Sequence, residues 1–350
     1  MTAPETPKKE SEPSTATSKP RKKLFRRSMR WFLFVVWVVV VTAVLLEVAV
    51  RWWGYSEHYL YDPIYQPCAE SAEIPFVHKP NLSGAKGRGL TGVHTDELGL
   101  RCSAGDDTPA TKPAGEVRVA VLGDSVTFGE GVKDNDETFC RVLQNVLNTA
   151  SGIDRYRVYN FGVSAYSVKD MYNTLVHRAV LVQPDIVLMA VVPEDFDLAR
   201  TPQVDAYGYT YNAQLSGDLS RDSRLKRALR NVHSVYWLRD LLWRWRHRND
   251  PPAGGVNELP TSYPYIKKFH DFARKQDWRS AVVLLPSQAS SFSPALRRQL
   301  REDGVEVIDL TGLAEKFTPD EFQASRFDRH PSAAVHGAIG IALAKWLSSP

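Results

Sequence analysis

Hydrophobic and polar positions divide the chain into stretches of different texture. Residues 31–50 (WFLFVVWVVVVTAVLLEVAV) carry no charge except Glu47. At about 1.5 Å of rise per residue such a run reaches about 30 Å, the thickness of a bilayer's hydrocarbon layer. A core helix of this length would show a polar face, and none is visible, so a transmembrane helix is expected over 31–50. A cleaved signal peptide fits less well, because the run exceeds the usual apolar core and no small-x-small site follows it. Glu47 lies near the end, where its carboxylate can reach the interface. From residue 117 onward, short β-branched runs alternate with longer amphipathic stretches. The runs 117–123, 156–161, 185–192, 281–285 and 305–310 predict five strands, and near-continuous hydrophobicity suits parallel strands covered on both faces. Helical spacing is found at about 137–149, 168–182, 263–276, 294–302 and 332–347. The alternation predicts an α/β sandwich around a five-stranded parallel sheet.

Between these textures lie two stretches without clear periodicity. Residues 51–116 are rich in turn-formers and read as an irregular juxtamembrane segment, leaving 117–350 as the folded domain. Residues 194–262 form a long insertion between the third and fourth strands. Within it, 224–248 places Leu225, Leu229, Val232, Tyr236, Leu242 and Trp245 at helical spacing among many arginines. That spacing fits a lid or core-covering helix with a solvated basic face, and it also fits a helix lying on anionic lipid.

Charge refines the picture. The formal net charge is +4, but residues 1–30 hold nine Lys or Arg against three Glu, leaving 35 basic and 37 acidic residues for the rest. A near-neutral body has no electrostatic motive for nucleic-acid binding. The basic cluster before the apolar run places the N-terminus in the cytoplasm and the bulk of the chain outside it. Residues 1–30, the first twenty rich in Pro, Ser, Thr, Lys and Glu, are expected to form a disordered basic cytoplasmic tail. Three cysteines are too few for a disulfide scaffold. In an oxidising compartment Cys68 and Cys102 are candidates for a single bridge, while Cys140 falls in an apparent helix. No metal is implied, since the cysteines are scattered and no His-x-x-x-His pair occurs among nine histidines; His336, on the final helix, reads as structural. No phosphate-binding loop or dinucleotide fingerprint follows a strand, and no cofactor is expected.

Two short motifs carry the candidate chemistry. Gly123-Asp124-Ser125-Val126-Thr127-Phe128-Gly129 follows the first strand directly. In an open α/β sheet ligands bind beyond the carboxyl ends of the strands, so Ser125 is placed at such a site with a helix about to begin. A serine there is equally favoured as a helix N-cap. The second motif, Asp328-Arg329-His330-Pro331, precedes the last helix. A serine hydroxyl needs a neighbouring base, and that base needs an orienting acid. His330 and Asp328 supply both from one loop.

GDSVTFGEGV, YNFGVSAYS, a motif after the third strand and DRHPSAAVH resemble the ordered blocks of the SGNH/GDSL hydrolase superfamily over about 117–350, with weaker similarity at 95–101. The resemblance implies a flavodoxin-like three-layer sandwich and hydrolysis or transfer of acyl esters. It assigns Ser125 as nucleophile and first oxyanion-hole amide, Gly162 as the second amide, and Asp328 with His330 as the rest of a triad. Asp124 and Asp195 take supporting positions. The third block departs from the pattern: Val192-Pro193-Glu194-Asp195 puts Glu194 where the family carries an asparagine donor. An ionised Glu only accepts hydrogen bonds. Either another donor such as Ser164 or Asn160 fills in, or Glu194 is kept neutral, or turnover is weak. Three activities are therefore carried forward: an extracytoplasmic esterase or O-acyltransferase on acyl esters of envelope material, a catalytically weak SGNH-fold binding protein, and a phospholipid hydrolase.

Overall fold

The computed structural model describes residues 21–55, 60–89, 92–106, 108, 111–199, 202–212, 229, 231–246, 248 and 258–348. Residues 1–20 of the tail expected over 1–30, and residues 224–228, 230 and 247 of the basic stretch, lie outside these, while residues 21–30 of that tail are helical rather than disordered. The chain forms two compact units, Met1–Trp53 and Gly54–Pro350. Helix α1 (Arg21–Trp53) makes up the described part of the first. Its portion Arg26–Trp53 is long and apolar enough to cross a membrane. Glu47 pairs with Arg51 one turn further on, at 2.7 Å. Such an i,i+4 pair satisfies the carboxylate within the helix itself.

The second unit is built on the sheet that the hydrophobic runs predict. Strands β1 (Val117–Gly123), β2 (Tyr156–Gly162), β3 (Ile186–Val191), β4 (Arg279–Leu284) and β5 (Val307–Asp309) are all parallel, in the order β2-β1-β3-β4-β5. This is the flavodoxin-like order, and it confirms the three-layer α/β class. Side chains alternate across each strand, so each strand feeds two cores. Val119, Val121, Leu188, Ala190 and Val283 face one layer, packing with α3 (Phe139–Ser151) and α9 (Ala333–Ser348). Ala120, Leu122, Val187, Met189 and Val282 face the other, against α4 (Val168–His177), α6 (Tyr263–Lys275) and α7 (Pro294–Glu302).

The helices take their faces from sequence spacing. In α3 the buried positions are Phe139, Cys140, Leu143 and Leu147, one side of a 3.6-residue turn. In α6 they are Tyr263, Ile266, Phe269 and Ala273. Ser167 starts α4 with a reciprocal capping box to Asp170, an arrangement worth about 1 kcal/mol.

The stretch before β1 is more integrated than its composition suggests. Among its described residues the strand pairing amounts to two-residue ladders, Tyr65–Gln66 with Val77–His78 and His94–Thr95 with Arg101–Cys102, and an isolated bridge between Ala85 and Val93. Yet Ile64, Tyr65, Ile74, Phe76, Val77 and Leu100 enter the same core as α4 and α6. The packing therefore has no boundary at residue 117. No disulfide joins Cys68 and Cys102. Their sulfurs turn to other partners, Cys68 Sγ to the Glu70 carboxylate at 3.1 Å and Cys102 Sγ to the Asp106 carbonyl at 3.9 Å. Within the insertion, Pro202–Val204 pairs with Thr210–Asn212, and α5 (His233–Arg246) has no buried side chain. Residues 232–237 and 240 are half-buried, and 241–246 are exposed.

A short helix, α2 (Ser125–Phe128), turns from the end of β1 across the end of β2. Gly123 and Gly162 are register partners there. A Cβ on Gly162 would lie 2.2 Å from the Phe128 amide nitrogen and 2.6 Å from the Thr127 carbonyl carbon. Backbone atoms cannot swing aside as a side-chain tip can. Gly162→Ala is expected to destabilise the fold by about 1–3 kcal/mol, lowering the thermal midpoint by several degrees. An unchanged midpoint in calorimetry would contradict this close approach.

Candidate functional site

β1 ends at Gly123, and the chain turns into α2 at once. The Asp124 side chain caps this turn by accepting from the Val126 amide at 2.9 Å. Ser125 thereby becomes the first helical residue, with its hydroxyl beyond the carboxyl edge of the sheet. Four residues make a poor helix by themselves, and α2 is held from outside. The buried Arg101 guanidinium donates to the carbonyls of Phe128 (3.1 Å), Gly129 (2.7 Å) and Val132 (2.8 Å), and through Nε to Asn135 Oδ1 at 2.8 Å. The Phe128 carbonyl is one that a helix C-terminus leaves without an intrahelical donor, and those of Gly129 and Val132 belong to the turn that follows.

The partner groups arrive from the other end of the chain. Strands β6 (Gln323–Ser325) and β7 (Asp328–Pro331) form a hairpin ahead of α9. Asp328 is buried and accepts from the His330 amide at 3.1 Å. The same oxygen lies 2.6 Å from His330 Nδ1, and His330 Nε2 lies 2.9 Å from Ser125 Oγ. A carboxylate on Nδ1 fixes the tautomer: Nδ1 keeps its proton, and Nε2 faces the serine hydroxyl as acceptor. Ser125 and His330, 205 residues apart in sequence, are thus brought into hydrogen-bonding contact.

A further carboxylate, which the sequence reading did not single out, faces the same imidazole. Glu130 is buried and its Oε2 lies 3.4 Å from His330 Nε2. Its Oε1 accepts from the Ser164 hydroxyl, which in turn accepts from the Tyr65 hydroxyl at 3.1 Å. Glu130 sits between Gly129 and Gly131, both in the left-handed region at φ +90° and +85°. Two such residues reverse the chain and return Glu130 toward the histidine, a turn that the GEG triplet signals. Burial opposes a charge on His330. It is outweighed by the hydrogen bond to Asp328 and by the charges of Glu130, Asp328 and Asp124, which together raise the imidazole to about 9. Burial also raises Asp124, against the amide of Val126 and the charge of His330.

The amide expected from Gly162 is already committed, since it donates to Asn160 Oδ1 at 2.9 Å. Asn160 Nδ2 in turn donates to the Thr127 carbonyl at 2.8 Å. Gly162 and Asn160 therefore lock β2 to the turn that carries Ser125. Ser164 is equally engaged, with Glu130. Ala165, in the loop after β2, has a φ of +64°. Such a conformation is rare for a residue with a Cβ, and strain of this kind gathers at functional sites. The amides of Ser125 and Ala165 donate to no protein acceptor among the described residues.

Glu194 and Ser125 line one cavity of about 580 Å³, walled on its apolar side by Phe322 and Phe327. Glu194 Oε1 accepts from the Ser290 hydroxyl at 2.5 Å. Asp195 is buried and accepts from the Val192 amide at 2.8 Å, which shapes the turn after β3. His336 lies away from this chemistry. It accepts from the Phe139 amide at 3.1 Å, stacks on that ring at 5.6 Å, and is pushed by burial down to about 3. Among the described residues, no three His, Cys, Asp or Glu side chains group as metal ligands do.

The profile of the GDSL-like lipase/acylhydrolase family matches residues 119–343, from β1 through most of α9. The chain belongs to this family. GDSL-like lipases and acylhydrolases are hydrolases of ester bonds, and the chain is an enzyme of that class. No curated protein sequence matches it. Among solved structures it resembles a lipolytic protein of the G-D-S-L family from Desulfitobacterium hafniense, with 14% identity over 66% of this chain and 99% of that one, at a TM-score of 0.38. A psychrotrophic esterase, EstA, from Pseudoalteromonas shares 13% identity over 67% of this chain and 100% of its own, at 0.40. The acetylxylan esterase Axe2 of Geobacillus stearothermophilus, solved as a catalytic mutant, shares 13% over 69% and 98%, at 0.38.

The charge environment of this GDSL-like site is open to direct measurement. In nitrogen NMR of the histidine-labelled protein, His330 is expected to titrate near 9, while His78 and His336, both pushed to about 3 by burial, stay neutral through pH 5. The folded value of His330 lies above its unfolded value of about 6.5. Its contribution to stability is therefore complete below that value and fades as pH rises through about 9. A His330 midpoint at or below 6.5 would contradict the three-carboxylate environment.

Proposed function

We propose that the protein is a membrane-tethered serine esterase or O-acyltransferase working through Ser125, His330 and Asp328. The observation that carries this reading is the continuous contact from Asp328 through both nitrogens of His330 to Ser125 Oγ, at the edge of the catalytic cavity. Ser125 Oγ attacks the ester carbonyl carbon while His330 Nε2 takes the hydroxyl proton. The tetrahedral oxyanion collapses, the bond to the alcohol oxygen breaks, and His330 returns the proton to that oxygen. The acyl group, now on Ser125, passes to water or to an acceptor hydroxyl whose proton His330 removes. Regenerated Ser125 receives that proton in turn.

The amides of Ser125 and Ala165 are the donors we assign to the oxyanion, one at the start of α2 and one in a strained loop. Glu194 adds an acceptor where a donor would help, and the loss of one such donor lowers turnover by about a hundredfold. A slow enzyme follows from that substitution. The cavity of about 580 Å³ suits a small acyl group with part of its alcohol. The basic cluster ahead of the apolar run of α1 argues for a cytoplasmic N-terminus. The catalytic unit then faces envelope esters, where tethering raises its effective concentration. A lipid substrate is the second reading. It draws on α5, whose Leu238, Leu242, Trp243 and Trp245 are exposed beside Arg244 and Arg246.

Two experiments test this. The full chain in detergent is expected to label with a fluorophosphonate probe and to hydrolyse short aryl esters, and Ser125→Ala is expected to lose both. Labelling that persists in Ser125→Ala would exclude Ser125 as nucleophile. Glu194→Asn is expected to raise kcat on a short aryl ester by about tenfold to a hundredfold. A fall would show that the Glu194 carboxylate is itself needed. Activity confined to long-chain lipids would favour the second reading.

A further inference from the structure

His330 has more negative charge around it than a serine–histidine pair requires. Asp328, on β7, already fixes Nδ1 at 2.6 Å. Glu130 approaches the opposite nitrogen, with Oε2 3.4 Å from Nε2, the atom that also lies 2.9 Å from Ser125 Oγ. Its side chain is only 4% exposed, so water screens this charge weakly. The carboxylate is also held in place, because Ser164 donates to Oε1 and Tyr65 donates to Ser164. Nothing in a plain triad mechanism uses this residue.

Its effect follows from which form of the ring it favours. In the neutral ring the buried Glu130 charge meets no cation on the imidazole. In the imidazolium, whose Nε2–H is directed to Ser125 Oγ, the ring's positive charge lies 3.4 Å from that carboxylate, an ion pair by distance rather than a hydrogen bond. We propose that Glu130 is a positioning residue that acts through His330, stabilising its imidazolium as acylation proceeds and withholding the free base at neutral pH. This deepens the esterase reading of the same site and rests on it. The two effects oppose each other along the pH scale. Where the base is already free, Glu130 speeds the step in which His330 becomes charged; where it is not, Glu130 slows the enzyme by keeping His330 protonated.

The other charges near the ring do not duplicate this role. Asp124, from the cap of α2, lies on the Ser125 side and accepts weakly from Ser125 Oγ at 3.3 Å. Arg88 and Arg101 exert their attraction on Glu130 and so moderate its pull on the histidine. Buried His336, which feels the charge of His330, stays neutral. Glu194 shares the cavity but is tied to Ser290. Only Glu130 and Ser125 meet Nε2 within hydrogen-bonding or ion-pairing distance among the described residues.

The test is the pH dependence of kcat/KM for a short aryl ester, with the full-length enzyme and its Glu130→Gln variant. The wild type is expected to gain about tenfold per pH unit on an acid limb that levels near pH 9. In Glu130→Gln the limb is expected to move down by about one unit or more, with a plateau lower by about tenfold. The two profiles then converge or cross near neutral pH, and Glu130→Asp restores a limb close to that of the wild type. A uniform loss with an unmoved limb would assign Glu130 a purely structural role and overturn the proposal. A histidine NMR titration in the Ser125→Ala background keeps this outcome separate from the esterase reading. There the His330 midpoint is expected to fall on adding Glu130→Gln, whether or not Ser125 is the nucleophile. An unchanged midpoint would overturn the proposal, whereas a lowered midpoint in an enzyme without ester turnover would count against the esterase reading alone. Should Glu130→Gln fail to fold, Ser164→Ala releases Oε1, and the midpoint is expected to move in the same direction by less; no movement would count against the proposal.

Discussion

The four-residue helix carrying Ser125 is too short to hold itself, and the hydrogen bonds that Arg101 donates to the carbonyls behind it are the constraint on which the site rests. An isolated turn of helix pays its nucleation entropy with almost no propagation to offset it. Here a buried guanidinium supplies donors to the carbonyl of its last residue, Phe128, to that of its C-cap, Gly129, and to that of Val132 in the following turn, while Asp124 satisfies an amide at the start. Charge-assisted bonds of this kind are stronger than neutral ones. Asn160 and Gly162 then fasten the same turn to β2. With the turn fixed from three directions, Ser125 Oγ has a defined place for a histidine from the other end of the chain to meet.

For the chemistry we propose, the consequence is a base that is well oriented but heavily charged. Asp328 and Glu130 bracket the imidazole at its two nitrogens, and Asp124 adds a third carboxylate. Each favours the protonated ring, and burial is the opposing force. Orientation and availability of the base thus pull against each other. The resolution we favour is an enzyme strongest in alkaline surroundings. Glu194 adds to the excess of acceptors in the same cavity.

Much of this was legible from pattern alone. The five strands stood out because both faces of a parallel sheet are covered, which leaves near-continuous apolar runs. Ser125, His330 and Asp328 stood out because a strand-end serine and a late Asp-x-His are informative together. The segment 54–116 did not, for a physical reason. Its ladders are two residues long, too short for a period-2 signal, and Arg101 does its work through backbone carbonyls that leave no trace in composition. Glu130 lies within the GDSVTFGEGV block, but its return toward His330 depends on departures into left-handed backbone on either side of it, at Gly129 and Gly131. The oxyanion assignment to Gly162 missed for a similar reason. A glycine is needed there, but for the contact with Phe128, while its amide is turned to Asn160.

In the mechanism we propose the acyl group passes through a covalent intermediate on Ser125, which acid-quenched mass spectrometry detects. The protein is mixed with excess aryl acetate above pH 8, quenched within the first turnovers, and digested. One acetyl group on the peptide containing Ser125, formed at the rate of the first release of aryl alcohol and absent in Ser125→Ala, is the predicted result. Steady release of alcohol with no acetyl group on that peptide, under conditions where the intermediate should accumulate, would contradict the account.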